Sequence, residues 1–399
     1  MLLQFKFKNH KCFYDETYLD LMATQEKRHL ESTININGNN ILPVVAIHGA
    51  NASGKSSALE ALDFMFEFVK YSNRIDVKKD LPVNPYCFSK KYSQENSEYE
   101  VSICLGDNEY RYGFSLNKNQ IDEEWLYTKK FSFNTKATQK IIFERFNNEV
   151  FFGKAFNKYE KTWGLFGKDT NLNTDKLLIL SNIAVKEETG IFRDLYDYIS
   201  KFSFKIESEF KKASIEILGE DDSVYHKFQK IINEFDPCLL GIKIEEVEVD
   251  GEKAYNISGI HRNIDNPSEP FSIPLQRESN GTIRIFDIMP SILKNLEVGG
   301  LLCIDEADVK LHPLLFKKIV NMYMDKSINT NNAQLIYTAH STFLFNSNNL
   351  RRDQLYLVDK DKYGKSKLYS LSEFRNLRVD ADYEKKYLSG QFGAIPYDD

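Results

Sequence analysis

A glycine-rich segment carries the residue types that bind phosphate. In Val44 to Leu59, VVAIHGANASGKSSAL, an apolar run breaks into a loop and resumes as a predicted helix. Gly49, Gly54, Lys55 and Ser56 satisfy the pattern G-x-x-x-x-G-K-[ST]. Two glycines let the backbone wrap a phosphate chain, and successive N–H groups at a helix N-terminus attract the anion. The candidate nucleotide-binding residues of this P-loop are Gly49, Ala50, Asn51, Ala52, Ser53, Gly54, Lys55, Ser56 and Ser57.

The chemistry expected of this loop is the binding of ATP with Mg²⁺. Lys55 would reach the β- and γ-phosphates as a catalytic residue, and the Ser56 hydroxyl would bind Mg²⁺. A chance match is the alternative. The strand-like run before the loop and the apolar periodicity after it weigh against chance.

A second motif, LLCIDE at Leu301 to Glu306, is an apolar strand that ends in two carboxylates. Asp305 would bind Mg²⁺, and Glu306 would polarise the attacking water. Taken alone, the motif could equally be a buried strand followed by acidic loop residues. Beside a P-loop, the catalytic interpretation is favoured.

A third segment, Ser279-Asn280-Gly281-Thr282, opens a predicted helix. A helix start of this kind can bind phosphate, but an ordinary N-cap is the better interpretation of the segment alone. Its position shortly before LLCIDE favours a phosphate contact from Ser279 and Gly281.

These motifs require elements that position them. The pattern predicts a strand at 42–47 before the P-loop and a helix over 55–71 after it. Residues 99–152 alternate like β-strands, with a hairpin around Gly106 to Asn108. A polar connection follows at 153–174. Helices are then predicted at 176–184, 192–210 and 225–235, and strands at 239–248 and 254–260.

The last 130 residues alternate between strand and helix patterns. His312-Pro313 opens a helix, and the runs at 334–338 and 354–358 are short apolar strands. This alternation predicts an α/β fold built on a mostly parallel sheet.

Composition excludes several classes of protein. The chain has 399 residues, 42% of them apolar, and a net charge of −6, so its bulk charge does not indicate nucleic-acid binding. Its five cysteines form no C-x-x-C pair, which argues against a zinc site or a disulfide framework. We expect no signal peptide and no membrane span, and therefore a cytoplasmic protein without a membrane partner.

The ordered motifs resemble those of the ABC/SMC-type ATPases: a P-loop, an S-x-G-T segment, an apolar strand ending in DE, and a histidine ending the strand LIYTAH. The resemblance implies that Ser279 and Gly281 reach across a homodimer to the γ-phosphate on the partner's P-loop. It also implies that His340 is the switch residue, with a catalytic contact to that phosphate.

A closer resemblance is to the small bacterial RloA-like AAA-type ATPases, among them AbiL-like and PARIS AriA-like proteins. It rests on FKFKNHKCF, QRESNGTIRIF, IDEADVKLHPLLF, YTAHSTFLF and the C-terminal stretch from RRDQLYLVDK to YLSGQFGAIP. It implies the ATPase component of an anti-phage, abortive-infection system. The implied partner is an effector from an adjacent gene, a Toprim-type or other nuclease, and DNA or a phage product is the candidate trigger.

Some features depart from this pattern or stay open. No glutamine among Gln94, Gln120 and Gln139 stands in a clear context for the second protein ligand of Mg²⁺ that the resemblance implies. Lys11 lies where related heads place a basic residue near the nucleotide, although a solvated turn lysine is the alternative. His48 is expected to pack at a strand end, and His312 to have a structural role at its helix start.

The predicted organisation is an α/β ATPase head with an N-terminal β subregion and an inserted, mainly helical lobe. Residues 1–75 would form the N-terminal part with the P-loop, and 76–175 the β-rich subregion. Residues 176–272 would form the inserted lobe and return strands. Residues 273–399 would supply the S-x-G-T segment, which is the signature of the ATPases that the chain resembles, together with the acidic strand, the switch histidine and the C-terminal tail.

Three functions compete at this stage. The first is a sensor ATPase that controls an effector nuclease through ATP-dependent dimerisation, as a dimer or a higher oligomer. The second is a DNA-repair or DNA-end-processing ATPase of the SMC or OLD kind, which is disfavoured because the sequence shows neither long heptads nor residues for a nuclease domain after the head. The third is a scaffold that binds nucleotide without hydrolysis, which Glu306 and His340 disfavour.

Overall fold

We analysed a computed structural model of the chain, which describes residues 1–76, 78–133, 137–147, 149–166, 174–205, 207–249, 252–346, 348–375, 377–378 and 381–396. The strands, numbered in chain order, are β1 (Leu2–Lys8), β2 (Thr17–Asp20), β3 (Ile34–Ile36), β4 (Asn39–Ile41), β5 (Val44–His48), β6 (Ser97–Leu105), β7 (Asn108–Leu116), β8 (Ile121–Lys130), β9 (Lys140–Phe146), β10 (Glu149–Phe152), β11 (Ser203–Lys205), β12 (Leu239–Val249), β13 (Glu252–His261), β14 (Phe271–Pro274), β15 (Leu301–Ile304), β16 (Gln334–Thr338), β17 (Leu355–Lys360) and β18 (Ser366–Ser370). The helices are α1 (Lys55–Tyr71), α2 (Lys158–Phe166), α3 (Ile179–Ala184), α4 (Ile191–Ser200), α5 (Glu207–Glu220), α6 (Asp222–Phe235), α7 (Asn280–Val298), α8 (Pro313–Met324) and α9 (Tyr383–Leu388).

A central sheet with the strand order β11-β15-β16-β5-β17-β18 positions three motifs: the P-loop, the acidic pair Asp305 and Glu306, and His340. Its first five strands are parallel, and β18 is antiparallel to β17. The P-loop follows β5, the acidic pair follows β15, and His340 lies just beyond β16. Because parallel strands end at the same edge of a sheet, the three motifs meet there. The predicted α/β class is confirmed.

The central sheet separates two hydrophobic cores. On β5, Val45 and Ile47 face one core, and Val44 and Ala46 face the other. This strand is buried on both faces, which explains why its sequence is continuously apolar rather than alternating. Helix α1 lies in the first core, and α7 and α8 lie in the second.

The first core is closed by a second sheet, which is antiparallel and has the order β10-β9-β8-β7-β6-β1-β2. Phe5, Phe7 and Tyr99 are buried in this core. The intervening residues carry ion pairs such as Lys8 with Glu98 at 3.2 Å. The predicted hairpin around Gly106 to Asn108 is confirmed, since Leu105 pairs with Asn108 at its turn.

The second core is covered by α5 and α6, which pack on α7. A small antiparallel sheet, β12-β13-β14, extends from α6 towards the start of α7. In the segment expected as an inserted lobe, 176–272, α3 and α4 pack on α1, while α5 and α6 lie on the opposite side of the central sheet. The domain boundaries remain a prediction.

Two secondary-structure predictions were wrong. The helix predicted over 192–210 ends at Ser200, and Ser203–Lys205 forms β11 beside Leu302–Ile304. Pairing with the edge of the central sheet satisfies the backbone of this segment, so the tertiary context overrides its helical periodicity. The polar connection at 153–174 contains α2, although its residues 167–173 lie outside the described residues.

Within the described segments, no helix combines the length and the apolar character that crossing a membrane requires.

Candidate functional site

The P-loop has the backbone conformation that its glycines predict. Gly49 and Gly54 have φ angles of 153° and 115°, which side-chain-bearing residues rarely adopt. A Cβ on Gly49 would overlap the carbonyl oxygen of Val358, and a Cβ on Gly54 would lie 2.7 Å from the sulfur of Cys12. Glycine is therefore required at both positions by conformation and by space.

The side chain of Lys55, the first residue of α1, contacts the backbone of this loop. Its Nζ donates to the carbonyl oxygens of Gly49 at 3.0 Å and Ala50 at 3.1 Å. Burial lowers the pKa of Lys55 below the usual value for lysine. The carboxylates of Asp305, Glu306 and Asp308 oppose that effect because they favour the charged ammonium.

Thr338, the last residue of β16, fixes both residues of the acidic pair. Its hydroxyl donates to Asp305 Oδ1 at 2.6 Å and accepts the backbone N–H of Glu306 at 2.8 Å. The side chain is fully buried. Sequence reasoning did not single out this residue, although a threonine two positions before His340 on an adjacent strand was visible in the sequence.

Glu306 and His340 face each other at the edge of the sheet. The Nε2 of His340 lies 3.4 Å from Glu306 Oε1, and Glu306 has the left-handed φ of 50°. Asp308 accepts the backbone N–H of His340 at 3.2 Å and that of Ser341 at 2.7 Å. Asp308 thus connects the loop after β15 to the loop after β16 by two hydrogen bonds. Asp308 was another residue that the sequence analysis did not identify.

These residues surround one cleft of about 1090 Å³. Its walls contain the acidic pair, His340 and most of the P-loop, together with residues of the β1–β2 turn, the segment before β6, the β7–β8 turn and β17. The lining residues are Lys11, Cys12, Asn51, Ala52, Gly54, Lys55, Ser56, Ser57, Val83, Asn84, Pro85, Cys87, Phe88, Ser93, Gln94, Lys118, Asp305, Glu306, His340 and Lys360. Gly49, Ala50 and Ser53 are not among these lining residues.

The donor set of this cleft fits a nucleotide with Mg²⁺. Ser56 and Asp305 supply the hydroxyl and carboxylate oxygens that Mg²⁺ prefers. Lys11 also lines the cleft, where its ammonium pairs with Glu60 of α1. Of the three glutamines left open, Gln94 is the one that lines the cleft.

The signature residues lie elsewhere. Ser279 is exposed, and its hydroxyl accepts the N–H of Thr282 at 3.1 Å as the N-cap of α7. A Cβ on Gly281 would meet its nearest atom only at 3.7 Å. Neither residue lines the cleft, so a single chain does not bring them to its own P-loop.

His48 and His312, the two further histidines considered in the sequence analysis, have structural contacts. His48 is buried, and its ring meets that of Phe345 edge-on at 5.0 Å. Burial lowers the pKa of His48 to about 3, which keeps the ring neutral. His312 caps α8 through Nδ1, which accepts the N–H of Leu314 at 3.2 Å.

Comparison with known proteins identifies a family match. The model of the family described as "AAA domain, putative AbiEii toxin, Type IV TA system" matches residues 44–157 and 183–346, which together make up more than half of the chain. The matched ranges contain the P-loop, the S-x-G-T segment, the acidic pair and His340. No curated protein sequence matches the chain.

Two solved structures are similar to this chain at low sequence identity. The first is described as "Crystal structure of the SmcHead bound to the C-winged helix domain of ScpA", with a TM-score of 0.47 and 12% identity over 92% of this chain and 97% of that chain. The second is described as "SMC head domain from Thermotoga maritima", with a TM-score of 0.41 and 13% identity over 92% of this chain and 98% of that chain.

Proposed function

We propose that this chain, which belongs to the AAA domain family matched above, is an ABC/SMC-type ATPase whose active sites form between two copies. The observation that carries the proposal is the division of the motifs. Lys55, Ser56, Asp305, Glu306 and His340 share one cleft, whereas Ser279 and Gly281 lie outside it.

The residues of the cleft would act as follows. The P-loop amides and Lys55 would bind the phosphates, and Ser56 and Asp305 would hold Mg²⁺, which would supply positive charge against the phosphates. Glu306 accepts a proton from the attacking water, and His340 contacts the γ-phosphate. Ser279 and Gly281 of a second copy complete the site at the γ-phosphate. Hydrolysis then separates the copies, so ATP acts as a timed clamp.

In the cell, we propose a cytoplasmic sensor of an anti-phage defence system that holds an effector nuclease in check and releases it on infection. The support is the family match together with the resemblance of both chain ends to RloA-like ATPases. Co-purification with the product of the neighbouring gene tests this proposal. Loss of that complex on ATP hydrolysis is the expected result, whereas DNA-stimulated turnover by the isolated protein would favour the DNA-processing alternative instead.

Mixing two inactive variants tests the composite site. Lys55→Ala removes the P-loop lysine, and Ser279→Arg blocks the signature. In a mixed dimer, one site carries both defects and the other carries neither. We therefore expect each variant alone to be inactive and an equal mixture to recover about a quarter of wild-type turnover, since random pairing makes half the dimers mixed, with one intact site each.

Two controls accompany this mixture. Lys55→Ala mixed with Glu306→Gln should stay inactive, because both substitutions damage the same half of the site. A mixture of Lys55→Ala and Ser279→Arg that recovers no turnover would overturn the shared-site proposal, provided that both variants still form dimers with the wild type.

A further inference from the structure

The P-loop backbone is contacted by residues that the proposed mechanism does not use, one of which, Lys360, also lines the cleft. They belong to the C-terminal stretch, which the sequence analysis singled out only for its resemblance to a family. The Lys360 ammonium donates to the carbonyl of Ala52 at 2.9 Å. The Ser366 hydroxyl donates to the carbonyl of Ser53 at 2.5 Å in a buried position.

A third contact comes from the tail beyond α9. The carbonyl of Ala394 accepts the backbone N–H of Ala50 at 2.9 Å. The same carbonyl accepts the hydroxyl of Tyr387 at 3.0 Å, so it is held from two sides. The Tyr387 ring packs on Phe345 at 5.1 Å, and Phe345 in turn contacts His48, the residue before the P-loop.

The tail is shaped for this contact. Gly390, Gly393 and Ala394 have positive φ angles of 76°, 70° and 58°, and Ala394 is 1% exposed. Tyr369 donates its hydroxyl to the carbonyl of Phe392 at 2.6 Å. A non-glycine residue in the left-handed region costs free energy and persists only where its surroundings impose it. The tail is therefore an ordered part of the head up to this point.

These contacts determine where the amides of the loop point. In a planar trans peptide the C=O and the N–H of one plane point in opposite directions. Ser366, by holding the carbonyl of Ser53, sets the direction of the Gly54 N–H. Ala394, by holding the N–H of Ala50, sets the direction of the Gly49 carbonyl, which accepts Lys55 Nζ.

We propose that Lys360, Ser366, Tyr387 and Ala394 form a C-terminal clamp that positions the P-loop for nucleotide binding. The proposal rests on the proposed function, because it assumes that this loop binds nucleotide. The clamp residues are positioning residues: they act through the loop backbone and leave the water-activating groups unchanged. Loss of the clamp should therefore raise the KM for ATP and leave kcat at saturation within about twofold of wild type.

The strongest test compares two truncations. A chain that stops after Ser389 loses the Ala394 carbonyl, whereas a chain that stops after Pro396 keeps it. With a fluorescent ATP analogue as the probe, we expect binding at least about tenfold weaker in the shorter chain, since the Ala50 N–H loses its acceptor. The longer truncation should bind like the full chain.

Two point variants keep the test decisive if the shorter chain does not fold. Ser366→Ala removes only the hydroxyl that donates to the Ser53 carbonyl, and we expect the ATP analogue to bind about tenfold more weakly. Ser389→Ala is the matched control, because that hydroxyl donates to Lys386 in the same tail and contacts no P-loop atom. Hydrogen exchange adds a local readout. In the Ser366→Ala variant, hydrogen exchange should rise in the P-loop peptide and stay unchanged in the antiparallel sheet β10-β9-β8-β7-β6-β1-β2.

The outcomes separate the clamp from the proposed function. If the full chain does not bind the nucleotide probe, the proposed function fails and the clamp fails with it. If the full chain binds and both Ser366→Ala and the shorter chain bind equally well, the clamp alone is overturned. A uniform rise in exchange across the whole protein with unchanged KM also overturns it, since that pattern indicates stability rather than positioning.

Discussion

The two halves of the proposed active site differ in how the chain holds them. The P-loop half is enclosed: Lys55 is 6% exposed, and backbone groups of the loop are engaged by residues from the opposite end of the chain. The signature half is open, with Ser279 exposed at a helix start and space around Gly281. In the proposed composite site, one chain therefore holds the first half through its own contacts, and the second half meets a second copy.

Backbone strain follows the same division. Lys11, Ala52 and Glu306 have positive φ angles of 49°, 60° and 50°, and all three line the cleft. Ser279 has an ordinary extended φ of −61° as an N-cap. Strained residues persist where surrounding contacts impose them, which is the expected property of a preorganised site. Substitutions in the P-loop half and in the signature half should therefore differ in whether they lower nucleotide binding, ATP turnover or dimer formation.

The largest effect is expected from Glu306→Gln. Removal of the carboxylate should lower ATP turnover by roughly a hundredfold or more, since proton transfer by a positioned base contributes about 10² to 10⁴ in rate. Binding of ATP should persist, because the P-loop is intact. Steady-state turnover and binding of a fluorescent ATP analogue check both parts, with Lys55→Ala as the variant that loses binding as well. Unchanged turnover in Glu306→Gln would favour the scaffold hypothesis.

Ser279→Arg tests the open half. We expect turnover to fall at least about tenfold, while each chain still binds nucleotide, because the lost contact belongs to the partner's site. Sedimentation in the presence of ATP should show monomer where the wild type forms dimer. Ser200→Arg, an exposed change at the end of α4, is the control and should have no effect on either measurement. Full turnover in Ser279→Arg would contradict the comparison drawn above.

Thr338→Val tests how the enclosed half is organised. The valine removes the hydroxyl shared by Asp305 and Glu306 but keeps the branched shape of the side chain. The Asp305 carboxylate and the Glu306 N–H then lose their shared partner, and we expect turnover to fall about tenfold. Thr338→Ser restores the hydroxyl and should recover most of the activity. Equal loss in both variants would indicate that packing at this position, not the hydroxyl, matters.

The smallest effect is expected from Arg284→Lys, which tests a link between the halves. Arg284 lies on the helix that Ser279 opens, and its Nη2 donates to the backbone carbonyl of Glu306 at 3.0 Å. A lysine keeps the charge but lacks the planar donor, and we expect a twofold to fivefold loss of turnover from a bond of about 1 kcal/mol. Thermal unfolding without nucleotide is the control, because a large loss of stability would explain the same result by misfolding.

Local patterns predicted the elements around the motifs well. The helix over 55–71 and the strand at 334–338 occur with the predicted bounds. Each has a strong period and a clear start signal, so neighbours in sequence determine it. In β11, by contrast, a sequence with helical periodicity forms the edge strand of the central sheet. Local periodicity does not predict its pairing with Leu302–Ile304.

The candidate site shows the same limit. The P-loop, the acidic pair and His340 could be proposed because each motif is short and has a known spacing. Thr338 and Asp308 act through hydrogen bonds between the loops of different strands. Ala394 reaches Ala50 from the opposite end of the chain. Such partners depend on the strand order of the sheet, which local patterns in a single sequence do not determine.

The position of β5 has a consequence for how the protein is made. Both neighbours of this strand in the sheet, β16 and β17, are synthesised long after it. Pairing across such a separation carries a large loop-closure entropy and slows folding. A nascent chain on the ribosome therefore exposes β5 without its two neighbours in the sheet, and the contact between Ala394 and the P-loop forms only after Ala394 has emerged.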